Sequence, residues 1–390
     1  MLPVYSRNRF SLLQLFFYLF LLEVCIGGSG GFIKEGAVSL RKVDFVIAMG
    51  ICFFIYYFKN KIESDILLIT GAFLALIGTS AFIGLLHYGN DVRVYENFLM
   101  QSFFLLLPFY ALFINNKHQV ERVIDILKIS AVILAVVYLI VLLLIVFKIV
   151  PFLTVYYAVA GNEDIMGRGT GAFWYKGFIY LCVGIYFWLL DKRFVLKWLL
   201  QLMMLTAIFF TFSRGFFVAL FLTGIIYNFF FGNLVKSMGI LFISIIAVVF
   251  FNQYYVSLSF DRTESDYVRT TQIQQVYDRI DLPSFFIGHG FGEGVPVRDN
   301  HLEINYLEIF HKQGIIGIIF WLAILAYITL GYINIKKCYP ENEAFARPFL
   351  LSAYFTYFES LTNPYLTNSI GMNLIMLTIV CFSVLKKHNA

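Results

Sequence analysis

Twelve stretches of mostly apolar residues, separated by short polar segments, run the length of the chain. They lie at about residues 10–27, 43–58, 66–87, 97–114, 129–150, 173–190, 195–212, 215–232, 237–252, 314–334, 348–362 and 366–385. Blocks of about 16 to 22 residues, rising 1.5 Å per residue, suit a hydrocarbon core ~30 Å thick and are far too long for barrel strands. A backbone surrounded by lipid must satisfy its own hydrogen bonds. The pattern therefore predicts an all-α, polytopic transmembrane helical bundle of about 12 spans, with residues 1–390 forming a single integral membrane domain.

Two interruptions stand out. The longer, about residues 253–312, is predicted to be a partly helical extramembrane loop. It lies within a polar island from Asn252 to Lys312 that holds Arg262, Arg269, Arg279 and Arg298, nine carboxylates, and His289, His301 and His311. The second, residues 151–172, carries Glu163, Asp164 and Arg168 in a glycine-rich run. Glycine lets a backbone approach a ligand closely, which makes Arg168 a candidate contact; an ordinary connecting loop reads the same way.

Composition agrees with a membrane protein: 60% hydrophobic, 19% aromatic and 14% charged, against roughly a quarter charged in soluble domains. The net charge of +5 sorts by topology. With the amino terminus inside, Lys59, Lys117, Arg122, Lys128, Arg193, Lys197, Lys236, Lys336, Lys337, Arg347, Lys386 and Lys387 fall on inner loops, as the positive-inside bias requires. Both termini are then cytoplasmic and the island faces outward. Arg41 and Lys42 break the pattern. The basic balance reads as topology, so no nucleic-acid partner is expected. The first stretch follows Arg7 and Arg9 but has no clean small-x-small site at Cys25–Gly28, so it is read as a retained helix and not a signal peptide. Five cysteines without paired spacing imply neither a metal site nor a disulfide framework.

Candidate chemistry follows from charges that the membrane would otherwise exclude. Ser213-Arg214-Gly215 alone separates the seventh and eighth stretches, so Arg214 sits at or just below the interface. An arginine there calls for an anionic partner, and its planar fork matches phosphate oxygens; snorkelling to lipid headgroups is the alternative. In the island, Asp261 to Ile280 reads as a polar helix with Arg262 and Arg269 on one side. That side suits a phosphate-bearing headgroup, or ion pairs of Arg269 with Glu264 or Asp266. Alternating glycines at Gly288, Gly290, Gly292 and Gly294 make a conformable loop, but no Gly-Lys-Ser/Thr follows, which excludes a P-loop. Asn300 with Glu303 three residues on predicts a capping box, with His301 as the first helical residue. The positive end of that helix would favour a neutral, proton-accepting imidazole. His301, Asn305, Glu308 and Lys312 then share one polar stripe, Glu303 serves as a cap, and His289 and His311 are exposed loop residues. Lone intramembrane Lys176 and Glu359 keep a transporter in view, although no internal repeat supports one.

Ser213-Arg214-Gly215 between two spans, Gly288-His289-Gly290-Phe291-Gly292 in a long outer loop, Asn300-His301-Leu302-Glu303-Ile304-Asn305-Tyr306-Leu307-Glu308, and Gly314-Ile315-Ile316-Gly317 opening the next span occur in order. Together they resemble the O-antigen polymerase (Wzy) and O-antigen ligase superfamily. The resemblance implies a metal-independent glycosyltransferase of the bacterial inner membrane that needs no cofactor. Its active loop is periplasmic and its substrate an undecaprenyl-diphosphate-linked oligosaccharide. Membrane lipid and a chain-length regulator protein are the other partners implied. Polymerisation of O-antigen, capsule or exopolysaccharide repeat units is the reading preferred. Ligation to lipid A core is the alternative, and flipping of the lipid-linked sugar a further one. Under this reading His301 and Arg214 are catalytic. Arg279, Arg269, Gly290, Arg168, Asn305 and Glu308 bind the diphosphate or sugar, with Arg279 and Gly290 matching a pattern of Arg, ten residues, Gly.

Overall fold

The computed structural model describes residues 12–30, 34–35, 38–59, 62–159, 165–167, 172–191, 193–257 and 263–387. Helices occupy the apolar stretches, as their composition dictates: α1 (Leu12–Ile26), α2 (Leu40–Lys59), α3 (Ser64–Tyr88), α4 (Val92–Gln101), α5 (Leu107–Phe113), α6 (Lys117–Val146), α7 (Phe152–Val159), α8 (Ile179–Trp188), α9 (Phe194–Phe210), α10 (Arg214–Phe231), α11 (Leu234–Ser257), α12 (Thr263–Tyr277), α13 (Leu282–Ile287), α14 (Asn305–Cys338), α15 (Glu343–Glu359) and α16 (Ser369–Leu385). Among the described residues, five segments are long and apolar enough to cross a membrane: α3, α4 with α5, α6, α10 and α14. Several shorter apolar helices accompany them, including α1, α9 and α16. The chain is thus an all-α, multi-pass membrane protein; among the described residues its paired strands are two short antiparallel pairs, Lys34–Glu35 with Val38–Ser39 and Ile165–Gly167 with Phe173–Tyr175. The second pair forms the end of the glycine-rich outer segment.

α16 is apolar on every side and almost wholly buried, which places it at the centre of the bundle. It packs on α1, α5, α6, α14 and α15. At its middle, buried Asn373 takes the Tyr110 hydroxyl and donates to the Tyr180 hydroxyl at 2.6 Å. A buried amide in low dielectric needs such partners.

Arg41 loses its status as a topological anomaly. Its guanidinium meets Glu23 at 3.0 Å and the Ser369 hydroxyl at 2.8 Å, with both charged side chains buried. The pair is internally neutral and ties α1, α2 and α16 together. Glu23→Ala or Arg41→Ala is expected to cost about 3–5 kcal/mol, because the remaining charge is stranded. Thermal unfolding of detergent-solubilised protein checks this, and a midpoint within a degree or two of wild type contradicts it.

Residues 288–300 of the polar island fold back on the end of α3 and the start of α4, touching Gly84, Tyr88, Val94 and Asn97. α14 breaks at Gly314, whose φ of 64° and ψ of −164° separate a short outer turn from the long helix. A side chain there would also strike the backbone of Phe286. Near the break, the carbonyls of His311 and Lys312 accept the N–H groups of His289 and Gly290 at 2.8 and 3.2 Å, while Phe291 N–H reaches Ser80 O at 2.9 Å. Gly84 on α3 gives Phe291 the room it needs. The loop is therefore a packed part of the fold.

Candidate functional site

α14 begins at Asn305, with Ile304 as its N-cap, four residues later than the expected start at His301. The Asn300–Glu303 capping box does not form, because other groups satisfy both residues. Gln272 on α12 accepts the Glu303 N–H at 3.0 Å, and Asn300 receives Asn97 Nδ2 at 3.0 Å on its side chain and Lys312 Nζ at 2.7 Å on its carbonyl. His301 consequently sits on a loop, and no helix dipole acts on it from its own segment.

What orients His301 is a carboxylate. Its Nδ1 lies 3.0 Å from Glu308 Oε1, and Lys312 Nζ lies 2.7 Å from the same oxygen. The Glu308 and Lys312 side chains are each 1% exposed, against 39% for His301. Lysine balances the carboxylate, so Nδ1 must carry the proton and donate. Nε2 is then the acceptor nitrogen on the exposed side of the ring, the arrangement that suits a general base. The expected polar stripe thus splits into different tasks. Glu308, expected to contact substrate, is buried behind the histidine. Asn305 is fully buried and braces the fold: it donates to Thr367 Oγ1 at 2.8 Å, accepts Leu366 N–H at 2.6 Å, and gives its own N–H to Ser360 O at 3.2 Å.

Arg214 is the first residue of α10 and is half-buried. The turn before it is tight enough to hold Phe212 at a φ of 51°, uncommon for a bulky residue. Gly215 lies against the buried Glu359: a side chain on it would come within 2.9 Å of Glu359 Oε1. Glu359 was visible in the sequence as a lone glutamate at the end of an apolar run. Its partner was not, because only the fold brings α10 and α15 together.

Arg269 on α12 meets Glu303 at 3.1 Å, and Glu303 also holds Arg298 at 2.6 Å. Glu303 is therefore a bridge between two arginines and not a helix cap. The Arg269 charge also reaches Glu359. The end of α15 thus joins the start of α14, where Ser360 O accepts Asn305 N–H, to the start of α10, where Glu359 lies against Gly215.

Other candidates serve the loop. Arg279 Nη1 binds Glu293 at 2.9 Å and Gly294 O at 3.1 Å, and the Tyr88 hydroxyl donates to the other oxygen of Glu293. Burial pushes the Glu293 carboxyl up, but Tyr88 and Arg279 outweigh it and hold it below the usual range. Gly290, at a φ of 84°, is pressed against the backbone of Gly84, so its lack of a side chain answers a packing need. His311, expected to be exposed, is 2% exposed beneath His289, with ring centroids 4.8 Å apart. His289 is itself half-buried, and burial lowers its affinity for a proton. Arg168 and Arg262 lie outside the described residues. Among the described residues no group of three His, Cys, Asp or Glu is placed to hold a metal ion.

No family model matches the chain. A curated relative does: the O-antigen polymerase of Shigella flexneri is 26% identical over 377 residues, which cover 94% of this chain and 94% of the relative. The chain is similar along its whole length to an O-antigen polymerase. That agrees with the superfamily to which the Arg214 turn, the glycine loop and the His301 segment point. The likeness extends well beyond the stretch carrying those motifs, which makes a chance match of short motifs an inadequate explanation.

Proposed function

We propose that this chain is an O-antigen polymerase, or a polymerase of a related surface polysaccharide. It joins polyprenyl-diphosphate-linked oligosaccharide repeat units at the outer face of the bacterial inner membrane, through a bundle of about twelve spans. The observation that carries the reading is the His301–Glu308–Lys312 arrangement, a half-exposed imidazole held by a buried carboxylate–lysine pair. The full-length similarity to an O-antigen polymerase supports it.

In the reaction, a hydroxyl oxygen on the terminal sugar of an incoming lipid-linked unit attacks the anomeric carbon of the growing chain. The bond from that carbon to the diphosphate oxygen breaks, and the lipid diphosphate departs with the electron pair. The hydroxyl proton passes to His301 Nε2 and is later released to water. Arg214, assisted by Arg269, neutralises charge that develops on the departing diphosphate. Fixed donors aimed at developing charge lower a barrier most where water is excluded.

Complementation of a deletion strain tests the assignment. Wild-type gene is expected to restore long surface chains, whereas the deletion leaves single repeat units on the lipid A core. Bare core with accumulated lipid-linked polymer in the deletion strain would identify a ligase instead.

A further inference from the structure

The turn after α15 presents a hydrogen-bond acceptor whose orientation is fixed from behind. Asn363 Nδ2 donates to Glu359 Oε1 at 2.6 Å and to Thr362 Oγ1 at 3.2 Å. The Thr362 hydroxyl gives its one proton to Glu359 O at 3.3 Å, so the Asn363 atom beside it is the donating amide nitrogen. Both amide hydrogens are directed inward, while Asn363 Oδ1 accepts no hydrogen bond and the residue is partly exposed. The backbone is fixed as well: Asn363 N–H reaches Glu359 O at 3.0 Å, Tyr365 N–H reaches Asn363 O at 2.9 Å, and Ser360 O receives Asn305 N–H. Glu359 itself is fully buried, and its Oε2 has no hydrogen-bond partner among the described residues. A buried intramembrane carboxylate and an unsatisfied oxygen each demand an explanation.

Charge decides which ligand such a turn suits. An amide oxygen is an acceptor only, so it repels phosphate oxygens and attracts donors. Hydroxyl groups of a sugar ring are donors; diphosphate is not. The turn is joined through Ser360 to Asn305, four residues beyond His301, which places it on the side where the attacking hydroxyl is activated.

We propose that Asn363 binds a hydroxyl group of the acceptor's terminal sugar and that Glu359 is the positioning residue that holds the Asn363 amide for it. This rests on the polymerase reading above. It divides the cleft into a cationic part for diphosphate, at Arg214 and Arg269, and an acceptor-rich part for sugar.

The test uses purified full-length protein in liposomes, with pre-elongated lipid-linked polymer as donor and the single lipid-linked repeat unit as acceptor, each varied separately. Asn363→Ala is expected to raise KM for the acceptor about tenfold, the equivalent of one lost hydrogen bond, with kcat within about twofold of wild type. Glu359→Gln keeps an oxygen facing Asn363 Nδ2 and is expected to stay near wild type. Glu359→Ala frees the amide and is expected to follow Asn363→Ala; should that variant not fold, Asn363→Ala and Glu359→Gln decide between them. An unchanged acceptor KM in Asn363→Ala, a rise confined to the donor KM, or a fall in kcat alone overturns the proposal. Wild-type protein that makes no polymer overturns the polymerase reading instead, and the two failures are therefore distinct.

Discussion

His301→Ala is expected to lower the rate of chain extension by about 10²- to 10⁴-fold, the usual contribution of a positioned general base. The Michaelis constants should change little, because the imidazole acts on the proton in flight and contributes little to ground-state binding. The loss arises at one atom. Glu308 fixes the proton on Nδ1 and so leaves Nε2 to receive the proton of the acceptor hydroxyl. Single-turnover measurements with preloaded donor read the chemical step directly. His301 is partly exposed and its loop is held by Asn300, Gln272 and Lys312, so the substitution should leave the fold intact. Long surface chains in a strain carrying His301→Ala would rule out this assignment.

The parts of the site that were legible in the sequence are those written in local pattern. A membrane chain reveals its helices through run length, and Arg214 through the cost of charge in a three-residue turn. The polar spacing of His301, Asn305, Glu308 and Lys312 marked a real surface, but periodicity from His301 assumed that the helix began there. Tertiary partners displaced that start, since Gln272 supplied from α12 the acceptor that a capping box would have supplied locally. The glycine loop shows another limit. Gly290 was read as a ligand contact, and the structure adds a packing demand, because Gly290 lies against the backbone of Gly84 on α3, which no local pattern encodes. Glu359 shows the same limit in reverse: its oddity was legible, while its contact with Gly215 depends on how α10 packs against α15. The assignment of Arg279 moved for an equally physical reason. Glu293 and the Gly294 carbonyl already occupy its Nη1, whereas Arg269 is bridged through Glu303 toward the end of α15.

Arg214→Ala is expected to reduce chain extension by about 10²- to 10³-fold, or about 3–4 kcal/mol of barrier, the effect of removing one preorganised donor from developing negative charge. The guanidinium occupies the first position of α10, so the free N–H groups and positive end of that helix add to its field. Opposite lies Glu359, against Gly215. Arg214→Lys retains charge but loses the planar fork, and a point charge does not reproduce bidentate contact with phosphate oxygens. Its activity should therefore fall between alanine and wild type, with the loss shared between donor KM and kcat, whereas acceptor KM stays constant. Titrating donor and acceptor separately in liposomes measures this. Equal activity of Arg214→Lys and wild type would reduce Arg214 to an electrostatic anchor, and wild-type activity of Arg214→Ala would remove it from the site.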